Sequence, residues 1–441
     1  MIESDISIKD KILTLAEKSV SLKEYQFKDK DSFFANSSSF VNELKNKNEI
    51  FYPLSQSSWD YTEYNAIIDQ LYTGNLTMGE KVENFEKSFA EYFGVKYAIM
   101  VNSGSSANLL IVAALSLLQK YDFKKDDEVI VPSLGWSTSY TPFAQYGLKL
   151  KFVDIDYQTL NIDPEKIKNA ISKKTKAILA INILGNPIEF KKIKEICDTN
   201  KLLLIEDNCE SLGAKYGERN TGNLGIAASH SFFFSHHIQT IEGGMITTND
   251  SNICECARSL RAHGWSRDSL EKNSFSKSPS AQFKNHFNFI LPGYNLRPNE
   301  LNGVLGISQL QKFPKILEGR KENARIFKKL FDNQTYCSIQ KCDHDSSWHG
   351  FSILLEGALQ NKRDYIMNEL YNNGIETRPI LTGNFLKNSV CNFINYEISG
   401  ILKNVEYLDR TGFYVGNSHY NLENQLSKLA EILCKLNKKN N

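Results

Sequence analysis

The residues best able to do chemistry in this chain stand where apolar runs end. In SFFFSHHIQTIEGGM, from Ser231 to Met245, two histidines follow an apolar run and precede a glycine pair. Neighbouring side chains on an extended chain point apart, so at most one of His236 and His237 can serve a given site. With no third ligand in view, the pair makes a poor metal centre, and no metal is expected. A single histidine there is either a hydrogen-bonded structural residue or a general base, because its ordinary pKa of ~6.5 lets it exchange protons near neutrality. In NSGSSAN, from Asn102 to Asn108, a glycine permits close backbone approach and a helix start offers free amides, with hydroxyls from Ser105 and Ser106. That turn is a phosphate cradle or simply a capped helix. Trp136, in VPSLGWSTS, can stack on a planar ring or cover the core. LLLIEDNCES ends a strand of leucines with Glu206 and Asp207. A carboxylate buried there needs a cationic partner, such as a protonated ring nitrogen; at a surface turn it needs none.

The elements that must position these residues read clearly. YAIMV, DEVIVPS, LKFVDID, KAILAINILG, LLLIEDN, SHSFFF and GMITTND are short, near-continuous apolar runs. Helical stretches such as NLLIVAALSLLQKY and FKKIKEICDTN alternate with several of them. This pattern predicts a parallel or mostly parallel sheet buried on both faces, with ligands at the carboxyl ends of its strands. In SFFF, Ser231 is read as leading a strand. Residues 1–50, rich in Lys, Asn and Ser, are expected as an N-terminal arm, 51–310 as a large α/β domain, and 311–441 as a smaller C-terminal α+β domain.

Composition narrows the partners. Of 441 residues, 41% are apolar and 23% charged, and the formal net charge is +1, which favours neither nucleic acid nor a membrane. The run LLIVAALSLL is far shorter than the ~20 residues of a membrane span, and the polar N-terminus lacks a signal peptide's apolar core. Eight scattered cysteines suit reduced thiols in a cytoplasmic enzyme. Cys254 and Cys256 fall two apart on a predicted helix, so they cannot face one ion and read as packed thiols.

In order along the chain, the serine turn, Trp136, Asp207, Ser231 and Glu242-Gly-Gly resemble the fold-type I pyridoxal-phosphate enzymes. They are most similar to the DegT/StrS family of sugar-nucleotide aminotransferases and dehydratases. The resemblance runs over roughly residues 52 to 420 and includes PGYNLRPNELNG and RPILTGNF. It implies a large α/β domain with a smaller C-terminal α+β domain, and a homodimer. Asp207 would pair with the pyridinium nitrogen and Trp136 would stack on the ring. Ser105, Ser106 and Ser231 would hold the phosphate, and Glu210 would lie near the ring hydroxyl. Asn295 would reach the phosphate of the neighbouring subunit. Arg378 and His263 are expected at the sugar or nucleotide, and His237 is expected to be structural.

The family's aminotransferases carry a Schiff-base lysine at the position of His236. Here no lysine occurs between Lys215 and Lys272. This departure resembles a subgroup of 3-dehydratases that act on 4-keto-6-deoxy sugar nucleotides with pyridoxamine phosphate, where the histidine is the base. One branch of that subgroup holds an iron–sulfur cluster with four cysteines. Cys209 matches the first, but SLEKNSFSKSPSAQFKNHF has none of the rest, so no cluster is expected. The other branch recharges its cofactor by transamination with L-glutamate, and EDNCESLGA, SHHIQTIEGG and RAHGWSR look close to it. The expected substrate is GDP-4-keto-6-deoxy-D-mannose, with a GDP-heptose or CDP-hexose as the alternative. A catalytically silent cofactor-binding protein on the same fold is the reading of a different class.

Overall fold

The protein is described here by a computed structural model covering residues 50–266 and 288–440. The expected arm lies outside these residues except for its last position, as does all of the cysteine-free stretch SLEKNSFSKSPSAQFKNHF. Two helices open the described chain, α1 (Tyr61–Thr73) and α2 (Glu80–Phe93). Next come β1 (Tyr97–Val101), α3 (Gly104–Leu117), β2 (Glu128–Pro132), α4 (Ser137–Gln145) and β3 (Lys149–Val153). After α5 (Pro164–Ala170) the chain runs through β4 (Thr175–Ile181), α6 (Phe190–Asn200) and β5 (Leu203–Asp207). A small hairpin, β6 (Lys215–Tyr216) and β7 (Arg219–Asn220), precedes β8 (Ala227–Ser231), β9 (Gly244–Thr248) and α7 (Ser251–Arg261).

Apart from the hairpin, these strands and β12 (Tyr396–Ile398) form one eight-stranded sheet in the order β1-β9-β8-β5-β4-β2-β3-β12. β9 pairs antiparallel with both β1 and β8, and every other pairing in the sheet is parallel. The mostly parallel α/β sheet anticipated from the apolar runs is therefore present. The runs are apolar throughout because both faces are covered, and Ile99, Val129, Leu150, Ile178 and Ile205 all lie in the core. α3 is apolar on nearly every side, and it packs between the β8–β9 part of the sheet and helices α4 and α7. Cys254 and Cys256 are buried in α7, and burial pushes both thiols up, as expected for packed cysteines.

One expectation needs correction. The run SHSFFF does not continue as a strand: β8 closes at Ser231, opposite Gly244 of β9, and does not begin there. Phe232 is buried, but Phe233 and Phe234 are each 44% exposed. The three phenylalanines therefore lie in the turn that leads to His236, and apolar content alone could not distinguish them from strand residues.

The rest of the chain begins with α8 (Glu300–Phe331), a 32-residue helix that crosses the position expected for the domain boundary. Asn299 caps it in a reciprocal box with Asn302. The Glu300 carboxylate reaches across to accept from the amides of Gly79, Lys81 and Val82 at the start of α2. A three-stranded antiparallel sheet follows, of β10 (Cys337–Ile339), β11 (Gly350–Leu355) and β13 (Gly412–Gly416). It packs with α9 (Arg363–Asn372) and α11 (Glu423–Asn440) around a second core. Between them β12 (Tyr396–Ile398) returns to the edge of the large sheet, and α10 (Lys403–Thr411) precedes β13.

Candidate active site

Strands β2, β4, β5 and β8 run parallel, so their carboxyl ends share one edge of the sheet, and the candidate residues collect there. Asp207 is the last residue of β5 and is 5% exposed. Its carboxylate accepts from Ser139 Oγ at 2.6 Å, Asn108 Nδ2 at 3.0 Å and the Cys209 amide at 3.1 Å. All three donors are neutral, and among the described residues no lysine or arginine lies within ion-pair distance of Asp207. A buried anion held only by neutral donors leaves room for a cation. Glu206, one residue earlier, faces the other way and is buried beneath the amides of Gly222, Leu224 and Gly225, 2.7–2.9 Å away. Burial pushes its carboxyl up against the pull of those amides, and its role is to fasten a turn.

The serine turn sits beside the end of β8. Ser103 is the N-cap of α3, with its hydroxyl accepting from the Ser106 amide, while Ser106 Oγ donates to Asn102 Oδ1 at 2.6 Å. The Ser106 hydroxyl is thus engaged within the turn. The Ser105 hydroxyl faces out and pairs with Thr138 Oγ1 of α4 at 2.8 Å, so two helix starts present hydroxyls side by side. A Cβ at Gly104 would stand 2.8 Å from Ser231 Cβ and 2.9 Å from Cys209 Sγ. Only glycine lets the turn, the end of β8 and the turn after β5 approach this closely. Trp136 occupies the N-cap position of α4 and is 54% exposed, so it does not cover the core and stands open at the sheet edge. The segment RPILTGNF docks on the two residues before it: Thr382 Oγ1 donates to the Gly135 carbonyl, and Leu134 bridges to Asn384.

His236 follows Ser231 by five residues in the turn after β8, with its amide bonded to the Phe233 carbonyl at 2.9 Å. Its Nδ1 is buried without a partner, although the residue keeps some open surface. Burial and the Arg320 guanidinium hold this imidazole down at about 4, against the pull of Asp207 and a backbone hydrogen bond to Cys209. The ring is therefore neutral at pH 7, below the ordinary histidine range assumed from sequence. His237 points elsewhere: Nε2 meets the Ser347 carbonyl at 2.9 Å and the residue is 1% exposed.

Two neighbours of His236 have no sequence signal. His349, at the foot of β11, brings its ring to 5.0 Å from that of His236 and 5.9 Å from that of His237. Arg320, from the middle of α8, donates to the carbonyls of Trp348 and His349 and is 4% exposed. Both lie more than eighty residues from His236 in the chain, so only the fold brings them together. Glu210 completes the group. Its carboxylate accepts from the Leu184 amide at 2.9 Å and stands 4.0 Å from His349 Nε2. Burial raises its pKa to about 7, Asp207 adds to the rise, and the Leu184 amide opposes it. Arg378 pairs through its backbone with Tyr414, a phenol that senses both Glu210 and Arg378, so Arg378 borders the same group.

Asn295 and His263 lie elsewhere. Their strip is tied together by an Ala262–Asn295 bridge and by the His263 amide on the Tyr294 carbonyl. It meets the serine turn through the Asn102 amide on the Leu296 carbonyl at 3.1 Å. The Asn295 side chain accepts from Arg297 Nε, and the His263 ring packs 4.6 Å from Trp265. No contact among the described residues joins either side chain to His236 or Asp207. Among the described residues no cluster of His, Cys, Asp or Glu could hold a metal ion.

The residues present fit a pyridoxal-type cofactor. An unpaired buried carboxylate suits a ring cation, an exposed indole lies at the sheet edge, and a glycine-tight turn with outward hydroxyls suits a phosphate. Comparisons with known proteins point the same way. The profile of the DegT/DnrJ/EryC1/StrS aminotransferase family matches residues 58–395. A GDP-4-keto-6-deoxy-D-mannose 3-dehydratase of Yersinia pseudotuberculosis is 48% identical over 388 residues, covering 88% of this chain and 99% of the relative. Two solved structures named GDP-4-keto-6-deoxymannose-3-dehydratase superpose with a TM-score of 0.84 at 46% identity, covering 87% of this chain and all of theirs. One is a histidine-to-asparagine mutant with bound GDP-perosamine, and the other holds a trapped PLP–glutamate geminal diamine.

Proposed function

This chain belongs to the DegT/DnrJ/EryC1/StrS aminotransferase family, and within it we propose a pyridoxamine-phosphate-dependent sugar-nucleotide 3-dehydratase. The substrate we assign is GDP-4-keto-6-deoxy-D-mannose, and the cofactor is recharged by transamination with L-glutamate. The observation that carries the reading is His236: a buried, unprotonated imidazole with a free Nδ1 stands where the family's aminotransferases have their lysine. Pyridoxamine phosphate, when bound, supplies an amine for the sugar's keto carbon and a ring that accepts electron density.

The protein's own residues do the remaining work. Asp207 keeps a bound ring cationic by offering it a buried counter-charge. Trp136 covers one ring face, and Ser105, Ser231 and the start of α3 hold the phosphate; the Ser106 hydroxyl supports that turn from within. Glu210 stands near the ring hydroxyl, and Arg378 lies on the sugar side. His236, neutral at pH 7, takes up a proton from carbon and can return it to the departing C3 hydroxyl. Because a histidine cannot form the covalent link of a lysine amine, its part in the reaction is proton transfer. Overall, the sugar's C3–OH would become CH2 with loss of the hydroxyl as water and release of ammonia by hydrolysis, the two electrons coming from the amine form of the cofactor, which would end as the aldehyde.

A homodimer is part of the proposal. Trp136, Phe233 and Phe234 expose large apolar surfaces on turns beside the site, which a second copy would cover. Asn295, remote from His236 in its own protomer, would then serve the partner's phosphate, with His263 near the nucleotide. No described helix is long and apolar enough to cross a membrane, and we place the enzyme in the cytoplasm.

The test is incubation of the purified protein with L-glutamate, the cofactor and GDP-4-keto-6-deoxy-D-mannose, followed by mass spectrometry. A sugar nucleotide lighter by one oxygen, with release of ammonia, supports the reading. Formation of a 4-amino sugar nucleotide overturns it.

A further inference from the structure

The proton taken by His236 has to be held until it is returned to the departing hydroxyl, and the surroundings of His236 supply a place for it. Resting on the proposed reaction, we propose that His349 is a positioning residue that couples His236 to the Glu210 carboxylate, so that a proton gained at His236 can be stored on Glu210. The geometry is a line of three groups: the His236 and His349 rings lie 5.0 Å apart and tilted by 35°, and His349 Nε2 lies 4.0 Å from Glu210 Oε1. The Nδ1 atoms of both histidines are buried and have no partner, which leaves each free to give or accept a proton. Neither step of the line is a hydrogen bond in this state, since both Nδ1 atoms lack a partner and the second gap is 4.0 Å; such contacts commonly tighten when a ligand closes a site.

The transfer balances. The N–H bond of protonated His236 breaks as a proton joins Nδ1 of His349, and the Nε2–H bond of His349 breaks as an O–H bond forms on Glu210. His349 ends neutral in its other tautomer, His236 is neutral again, and no oxidant or reductant is involved. The order of acidities supports this direction. Burial, the neighbouring rings of His236 and His237, and Arg320 push His349 well below the ordinary histidine range. His236 is held at about 4, whereas Glu210 is raised to about 7.

The charged and titratable groups around this line come from every packed element. The turn after β8 brings His236 and His237, α8 brings Arg320, the end of β5 brings Asp207 and Cys209, and the C-terminal sheet brings Tyr414 beside Arg378. Among them only Glu210 has a raised or lowered acidity that lands near neutrality.

The experiment compares the full-length parent with His349→Gln, Glu210→Gln and the double variant, with thermal unfolding as a check that each is folded. In the cofactor-loaded enzyme, each single change should lower kcat for dehydration about 10- to 100-fold with KM within twofold, and the double variant should be no worse than the worse single one. Activity of the parent should fall as pH drops through about 7, and this limb should move toward lower pH in His349→Gln. Multiplying losses in the double variant, or an unmoved limb, overturn the coupling. The cofactor-free protein gives an independent reading by infrared pH-difference spectroscopy. A protonated-carboxyl band should titrate near pH 7 in the parent and vanish in Glu210→Gln. Its absence in the parent removes the acceptor and overturns the proposal whatever the reaction. A parent that shows the band yet dehydrates no sugar instead overturns the assigned function.

Discussion

If His236 is held neutral by the fold, then removing it must make the protein less sensitive to acid. An exposed histidine in the unfolded chain has a pKa of ~6.5, and in the fold burial and Arg320 hold His236 at about 4. The unfolded state therefore binds more protons between these values, and stability falls as pH drops from about 6.5 towards 4. At pH 5 the difference amounts to ~1.5 pH units, or up to about 2 kcal/mol at ~1.4 kcal/mol per unit. At pH 7.5 it vanishes. Urea unfolding of the cofactor-free parent and His236→Gln at both values reads this quantity together with the release of His237 and His349 from the His236 ring, which acts in the same sense; packing changes caused by the substitution enter equally at each pH. The variant should gain 1–2 kcal/mol relative to the parent on going from pH 7.5 to pH 5. His230, held at about 3, and His419, held at about 4, destabilise both proteins alike as pH falls, so their contributions cancel. A relative change below about 0.5 kcal/mol, or a change of opposite sign, means that His236 is not held neutral by its surroundings. His236 is then not a base poised by the fold.

Four other changes test separate parts of the site. His236→Lys should retain the cofactor covalently through gel filtration and lower dehydration at least ~100-fold, the size expected when a general base is lost; dehydration at the parent rate would show that His236 is not the base. Asp207→Asn removes the buried charge and turns an amide NH2 toward donors that the carboxylate accepts from, so cofactor retention should weaken and turnover fall, with the cofactor-free protein also losing about 1–3 kcal/mol. Gly104→Ala drives a methyl to within 2.8 Å of Ser231 Cβ; overpacking of this kind costs about 1–3 kcal/mol, read as a lower urea midpoint together with weaker cofactor binding. Glu206→Gln sets an amide NH2 among three backbone donors, which should destabilise by about 1–3 kcal/mol and leave kcat of the folded fraction within twofold.

The sheet was legible because burial on both faces leaves an unbroken apolar text, and the strand ends were legible because polar residues interrupt it abruptly. Asp207, the serine turn and Trp136 all stand at such interruptions. Glu206 and Asp207 share one interruption, and only the fold shows that alternate residues of β5 face opposite sides, sending one carboxylate to a turn and the other to the site. SFFF misled for the opposite reason: its phenylalanines are apolar but two of them are exposed. Ser106 was singled out for its hydroxyl, which the structure shows engaged with Asn102 inside the turn. Arg320 and His349 were not legible, since one lies in a long amphipathic helix and the other in a loop before a strand, with nothing local to mark either. Their role arises from a juxtaposition across the two halves of the chain, and no periodicity or short motif encodes that.

That juxtaposition bears on why a histidine can occupy a position built for a lysine. Arg320 is buried with carbonyl partners, and among the described residues no carboxylate pairs with it, so it projects positive charge onto His236, His237, His349 and His419. Asp207 acts on His236 in the opposite sense, and His236 therefore lies between a buried cation and a buried anion. A positive field disfavours protonation of any base placed there, imidazole or amine. For a lysine this produces the neutral amine that a covalent link to an aldehyde requires; for a histidine it produces a neutral ring with a vacant Nδ1. The same surroundings thus suit either side chain, and exchanging one for the other converts a nucleophile into a base without rebuilding the site. What the exchange does require is a destination for the proton, because a ring held at about 4 keeps it poorly. Glu210, raised to about 7 and reached through His349, is the group in the described structure whose acidity and position meet that need.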